Sequence, residues 1–148
     1  MTFTIIVGDG TEYGVLESFV EQDHPANVKL MKRLPKEDYD TMVGACDIGL
    51  IFLDHRFTIP NFPSRLLAYM QAKLPVLAAT DPNTDIGKVI VDGGFGWWCE
   101  SNSEEDFKEL IKEAINADTR SMGEIGYKYL QNNYTVECGY EIIQKRLK

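Results

Sequence analysis

Residues 48–79 read IGLIFL, DHRFTIPNFP, SRLLAYMQA, KL and PVLAA in succession, and this stretch decides the fold. The runs 48–53 and 75–79 are apolar throughout, short, and without polar alternation, so each predicts a strand buried on both faces. Between them, 54–62 is polar and irregular, and 64–72 carries Leu66, Leu67 and Met70 on one face of a helix. Strand, helix and strand make a βαβ unit, and a crossover of this kind joins parallel neighbours.

The alternation continues in both directions. Upstream, 3–7 is a strand stopped by Gly8-Asp9-Gly10. Tyr13, Leu16, Phe19 and Val20 then recur at helical spacing until His24-Pro25 breaks the pattern. A second strand covers 28–31, and Pro35 opens a helix bearing Tyr39, Met42 and Val43. Downstream, 84–91 predicts a short helix and 95–99 a last strand. Ser103 is placed to cap a helix with Glu104, Glu105 and Asp106 in its first turn, where acidic groups suit the dipole better than they suit a metal. Phe107, Leu110, Ile111, Ala114 and Ile115 form its apolar stripe. Two more helices follow, the last starting at Thr135 and carrying Val136, Tyr140, Ile143 and Leu147. The expected fold class is α/β: a single Rossmann-like domain over 1–148, with a parallel sheet flanked by helices.

A length of 148 residues is one domain's worth, and 44% hydrophobic with 26% charged residues is a globular composition. Lys and Arg total 15 against 23 for Asp and Glu, a formal charge of −8. That balance argues against a nucleic-acid or anionic-membrane surface, so an anionic ligand must be held by a small local set of donors. Cys46, Cys99 and Cys138 show no metal-binding spacing and no disulfide framework, which points to a reducing, cytoplasmic compartment. No apolar run is long enough to span a bilayer, and the opening residues lack the pattern of a signal peptide.

In an open parallel sheet, ligands sit beyond the carboxyl ends of the strands. Three loops leave those ends. Gly8-Asp9-Gly10-Thr11-Glu12-Tyr13-Gly14 spells GxGxxxG, either a plain tight turn or a close backbone approach to phosphate or sugar. Lys32-Arg33-Leu34-Pro35 follows the second strand, where basic residues would also suit the 2′-phosphate of NADP. The loop containing Asn61 ends at a helix start, where the amides of Ser64, Arg65 and Leu66 and the Arg65 guanidinium could hold an anion. The bland alternative there is a Ser64 cap beside a solvated arginine.

Other residues read more simply. His24 and His55 are loop histidines without catalytic partners, and Cys46 is a core filler. No GxSxG nucleophile elbow exists. Asp81 and Asp85 flank Pro82-Asn83-Thr84, where Asp81 or Thr84 reads as a helix cap more readily than the two aspartates read as a catalytic pair. Adjacent Trp97 and Trp98 must face opposite sides of a strand, one into the core and one under a terminal helix or at a domain junction.

The run 63–76, with Phe62-Pro63 before it, a helix ending in Met70, and then Lys73-Leu74-Pro75-Val76, resembles the signature of group 1 (family 4) glycosyltransferases. The likeness extends to IVGDG at 6–10, the strand at 27–34, ACDIGL at 45–50 and the tail at 134–146. It implies the C-terminal, nucleotide-sugar-binding half of a GT-B fold, with a nucleotide diphosphate sugar, commonly UDP-linked, as substrate and no metal or other cofactor. On matching positions Lys32, Arg33 and Leu34 border the base, Ser64, Arg65 and Leu66 hold the diphosphate, and Gly8 and Gly10 leave space for the donor. The resemblance further implies retaining transfer in polysaccharide biosynthesis, an N-terminal acceptor-binding domain as partner, and peripheral contact of the full-length enzyme with a membrane.

Two departures stand out. The family's paired glutamates fall on Pro60 and Ala68, leaving Asp54 or Asn61 as substitutes for the first. An acceptor-binding half and one earlier βα unit are also absent from these residues, so the chain alone is expected not to transfer sugar. The rival readings are a non-catalytic nucleotide-sugar-binding module and an NADP-binding Rossmann domain, the latter built on Gly8, Gly10, Gly14, Lys32 and Arg33.

Overall fold

The computed structural model describes residues 2–59 and 61–147. Strands and helices alternate as β1 (Thr4–Val7), α1 (Tyr13–Asp23), β2 (Val28–Met31), α2 (Lys36–Gly44), β3 (Gly49–Phe52), α3 (Ser64–Gln71), β4 (Val76–Thr80), α4 (Ile86–Asp92) and β5 (Gly96–Glu100). Three helices follow: α5 (Glu104–Ile115), α6 (Thr119–Asn133) and α7 (Val136–Arg146). All strand pairs are parallel, β1 with β2 in one sheet and β3-β4-β5 in another. The expected α/β class of parallel strands flanked by helices is thus the observed one. The chain divides into two compact units, Met1–Met42 and Val43–Lys148.

In the first unit, β1 and β2 run in register from Thr4 opposite Val28 to Val7 opposite Met31. Helix α1 stops at His24, which turns left-handed (φ 44°) and returns its N–H to the Val20 carbonyl at 3.1 Å. None of the α1 residues is buried.

In the second unit, every residue of the central strand β4 is buried. One core cluster gathers Ile51, Val76 and Ala78 of the sheet with Leu66 and Met70 of α3, Ile86 and Ile90 of α4, and Phe95. Tyr129 and Leu130 of α6 pack against it. A smaller cluster joins Leu77 and Trp97 to Ala114, with Phe107, Leu110 and Ile111 of α5 partly buried around them. Helices α3, α4 and α6 therefore supply one cluster and α5 the other, as the alternation of side chains along parallel strands requires.

Several expectations need correction. Strand 48–53 is not buried on both faces: β3 is an edge strand of its sheet, and Phe52 is 53% exposed, one side of its ring meeting Phe107 at 5.0 Å between centroids. Ile115 falls off the buried stripe of α5 and is exposed. Cys46 is half-buried rather than core, although burial, and then the neighbouring Asp47 charge, still push its thiol pKa upward. Trp98 lies under α4 and not a terminal helix: a side chain at Gly87 would overlap its indole, and its Nε1 donates to Thr80 Oγ1 at 2.8 Å. Trp97 is the core member, its Nε1 donating to Glu113 Oε1 at 3.0 Å.

Helices α5, α6 and α7 of this unit carry side-chain N-caps. Ser103 Oγ accepts the Asp106 amide at 3.2 Å, and Lys108 Nζ reaches Glu104 at 2.7 Å. Thr135 Oγ1 accepts the Cys138 amide at 3.4 Å. Helix α3 closes with the Leu74 amide donating to the Tyr69 carbonyl at 2.9 Å and Lys73 at φ 58°, a left-handed stop usually made by glycine. Lys73 Nζ meets Glu124 at 2.8 Å and sits 5.1 Å from the centre of the Tyr127 ring, tying the α3 terminus to α6.

Candidate functional site at the carboxyl ends of the strands

Parallel pairing brings the carboxyl ends of β3, β4 and β5 to one edge. The Leu53 amide donates to the Ala79 carbonyl (3.0 Å), the Ser101 amide to the Thr80 carbonyl (2.9 Å), and Ser101 Oγ to the Leu53 carbonyl (2.5 Å). From this edge the loop after β3 leads into α3. Asp54 and Arg56 organise its start: Asp54 accepts the Arg56 amide (2.9 Å), Nε (2.9 Å) and Nη2 (2.6 Å). The Arg56 hydrogen bonds hold the Asp54 carboxyl well below the usual carboxylate range. Asp54 thus bonds within its own loop. His55 Nδ1 lies 3.7 Å from the same carboxylate.

Asn61, Ser64 and Arg65 are all exposed where α3 begins. Pro63, extended at φ −61° and ψ 121°, is the N-cap and supplies no side-chain bond. Ser64 is thus the first helical residue and not a cap. The amides of Ser64 and Arg65 have no acceptor among the described residues. Leu66 departs from expectation: its amide donates to the Pro63 carbonyl at 3.0 Å and its side chain is fully buried, so it is a core residue and not a ligand donor. The first turn tightens and consumes the third amide, a common way for a helix to serve its own end. Of the two positions matching the family glutamates, Ala68 is half-buried on α3 without a polar side chain, and Pro60 lies outside the described residues.

Contrary to the expected helix cap, neither Asp81 nor Thr84 caps α4. Asp81 is fully buried, and its Oδ1 accepts the amides of Asn83 (2.8 Å) and Thr84 (3.1 Å). Those bonds hold a turn ahead of the helix, so α4 starts at Ile86 with Asp85 as an N-cap that makes no side-chain bond. Asp81 Oδ2 and Thr84 Oγ1 are buried without a hydrogen-bond partner. Asn83 Nδ2 donates to the Phe57 carbonyl at 3.0 Å, joining this turn to the loop after β3. The sequence pattern Asp-Pro-Asn-Thr signals the turn; the burial of its carboxylate comes only from its place at the end of the central strand.

In the first unit, taken by itself, Gly8 and Gly10 follow β1 while Lys32, Arg33 and Leu34 follow β2. The Gly8 amide donates to the Met31 carbonyl at 3.1 Å, which brings the two loops alongside. A Cβ built on Gly8, Gly10 or Gly14 meets no atom within 4 Å, and none of the three has a positive φ. Neither crowding nor backbone conformation demands glycine here, which removes the tight-turn explanation and leaves open space over the loop. Lys32 and Arg33 are exposed and Leu34 half-buried, with Lys32 Nζ 6.0 Å from the Tyr13 ring centre.

Comparison with known proteins bears on the family and the fold. The family model described as "Glycosyl transferases group 1" matches residues 2–129. "Probable glycosyltransferase WbjE" of Pseudomonas aeruginosa is 29% identical over 129 residues, which cover 87% of this chain and 32% of that protein. An "Uncharacterized glycosyltransferase" of Methanocaldococcus jannaschii is 26% identical over 135 residues, covering 90% and 37% respectively. The crystal structure of WaaG, a glycosyltransferase involved in lipopolysaccharide biosynthesis, superposes with a TM-score of 0.68 at 19% identity, over 95% of this chain and 37% of that one. That last likeness shows a shared GT-B-type fold. The chain spans about a third of the length of each of these three relatives. With the family model covering nearly all of its residues, this chain belongs to the group 1 glycosyl transferases.

Proposed function

We propose that this chain is the donor-binding part of a group 1 glycosyltransferase and that it holds a nucleotide diphosphate sugar, UDP-linked, at the start of α3. One observation carries the reading: the Ser64 and Arg65 amides lack acceptors among the described residues and share the exposed helix start with a guanidinium. Unpaired amides and the positive end of a helix dipole favour an anion, and arginine adds bidentate reach to phosphate oxygens. As the glycosidic bond to the donor breaks, negative charge grows on the departing diphosphate. Amides already aimed at that position offset it without reorganisation. In this reading the charge is met by protein groups and no metal is invoked.

Transfer with retention of configuration, an acceptor held by a further domain, and a role in building cytoplasmic glycan precursors complete the proposal. Family membership and relatives about three times as long support these parts of the reading. A second reading, a nucleotide-sugar-binding module without catalysis, is favoured by Ala68, which offers no side-chain acceptor on α3.

Calorimetry with UDP, GDP, their sugar conjugates and NADP tests the proposal. A uridine or guanosine diphosphate should bind, and Arg65→Ala should weaken it by about tenfold or more, the scale of a lost hydrogen bond to a charged group. Binding of NADP alone, or an Arg65→Ala affinity equal to wild type, overturns it. Sugar transfer assayed with an acceptor-binding half supplied separates the transferase from the binding module.

A further inference from the structure

Asp81 is the one carboxylate at the ligand edge whose chemistry the fold leaves half used. It is fully buried at the carboxyl end of β4. One oxygen is spent on the Asn83 and Thr84 amides, and the other, like Thr84 Oγ1, is buried without a partner. An unserved carboxylate oxygen in the interior is costly, and native folds seldom retain one without a use. The other acidic groups of this edge are occupied or turned to water. Asp54 is bound by Arg56, Glu100 accepts Asn102 Nδ2 at 2.9 Å, and Asp85 is exposed. Helix α3 (SRLLAYMQ) brings no carboxylate of its own.

The charge of Asp81 restricts what it can meet. It repels a diphosphate, so it faces a neutral part of the ligand that offers O–H or N–H donors. A cation is a poor match, because among the described residues no group of three His, Cys, Asp or Glu could hold a metal ion. An acceptor-only oxygen next to a hydroxyl that both donates and accepts complements vicinal hydroxyls, each of which also does both. A side-chain bond from exposed Asn83 to the Phe57 carbonyl joins the turn to the loop leading into α3.

We infer that Asp81, with Thr84 beside it, receives the hydroxyls of the donor's sugar and so sets which sugar is accepted. This rests on the donor-site reading above and deepens it. Asp81→Asn is the sharp variant: its Oδ1 can still accept both turn amides, while Nδ2 replaces an acceptor with a donor.

The test is calorimetry on the 148-residue chain with UDP, UDP-glucose, UDP-galactose, GDP and GDP-mannose, with thermal melts to establish folding. The expected result is a nucleotide sugar bound more tightly than its bare diphosphate. Asp81→Asn should then lose about tenfold or more for the nucleotide sugar and under about threefold for the diphosphate, with Thr84→Val giving the same pattern at smaller size. Equal losses for both ligands would mark a structural role and overturn the inference, as would no loss, or a sugar that adds nothing to wild-type affinity; each leaves the donor reading intact. Wild type that binds none of the diphosphates overturns both. If Asp81→Asn melts early, Thr84→Val alone decides, since it leaves both turn amides and their acceptor in place.

Discussion

At the scale of single residues, the most constrained position away from the ligand edge is Gly123. A Cβ there would overlap the Lys73 carbonyl oxygen, because α6 crosses the left-handed stop of α3 at backbone distance. Gly123→Ala is expected to destabilise the protein by about 1–3 kcal/mol or more, the range for overpacking a tight site. Gly139 on α7 is the control: its Cβ meets nothing within 4 Å, so Gly139→Ala should be neutral or favourable by about 0.5–1 kcal/mol of helix propensity. Urea denaturation of both variants checks the contrast, and a neutral Gly123→Ala would refute the close crossing. Ser64 and Arg65 were legible in the sequence because a helix start after Phe62-Pro63 is a local signal. Leu66 was not, since periodicity locates a helix without saying whether its first turn tightens and uses its third amide.

At the scale of elements, strand β2 is where the sequence puts it, between Pro25 and the Lys32-Arg33 pair. Helix α4 is two residues late, because the Asp81 carboxylate draws the amides of Asn83 and Thr84 into a turn first. A pattern of apolar spacing contains no record of that competition. Capping shows the complementary case, in which a local signal was sufficient: Ser103 accepts the Asp106 amide expected of it, and Thr135, where the sequence starts the last helix, accepts the Cys138 amide. Their removal should nevertheless have unequal effects. Helix α5 packs Ala114 and a partly buried stripe against the sheet, so Ser103→Ala should cost about 1 kcal/mol of global stability. None of the α7 residues is buried, so Thr135→Ala should fray that helix and leave the denaturation midpoint unmoved. Hydrogen exchange alongside the urea melt distinguishes them; a shift of the midpoint in Thr135→Ala would mean α7 is bound into the cooperative core.

At the scale of the whole molecule, the parallel α/β class was readable because βαβ order allows few alternatives. The division into two units was not, since it depends on how many contacts each segment makes and not on the order of strands and helices. The stability of the chain is unevenly distributed between those units. Among the described residues every buried hydrophobic side chain, from Val43 on α2 to Ala114 on α5, belongs to the second unit. The first has a two-stranded sheet, no buried residue on α1, and Phe3, Val15 and Phe19 more than half exposed. An isolated two-stranded sheet is marginal in water, the helix α1 beside this one buries no residue, and fewer than about 40 residues rarely fold unaided. A chain of residues 36–148, which keeps α2 whole and retains both core clusters, should therefore melt cooperatively with native near-ultraviolet dichroism of Trp97 and Trp98. A chain of residues 1–35 should show no cooperative transition at any temperature. Loss of the cooperative melt from 36–148, or its appearance in 1–35, would mean that the interactions holding the fold lie outside the β3-β4-β5 core.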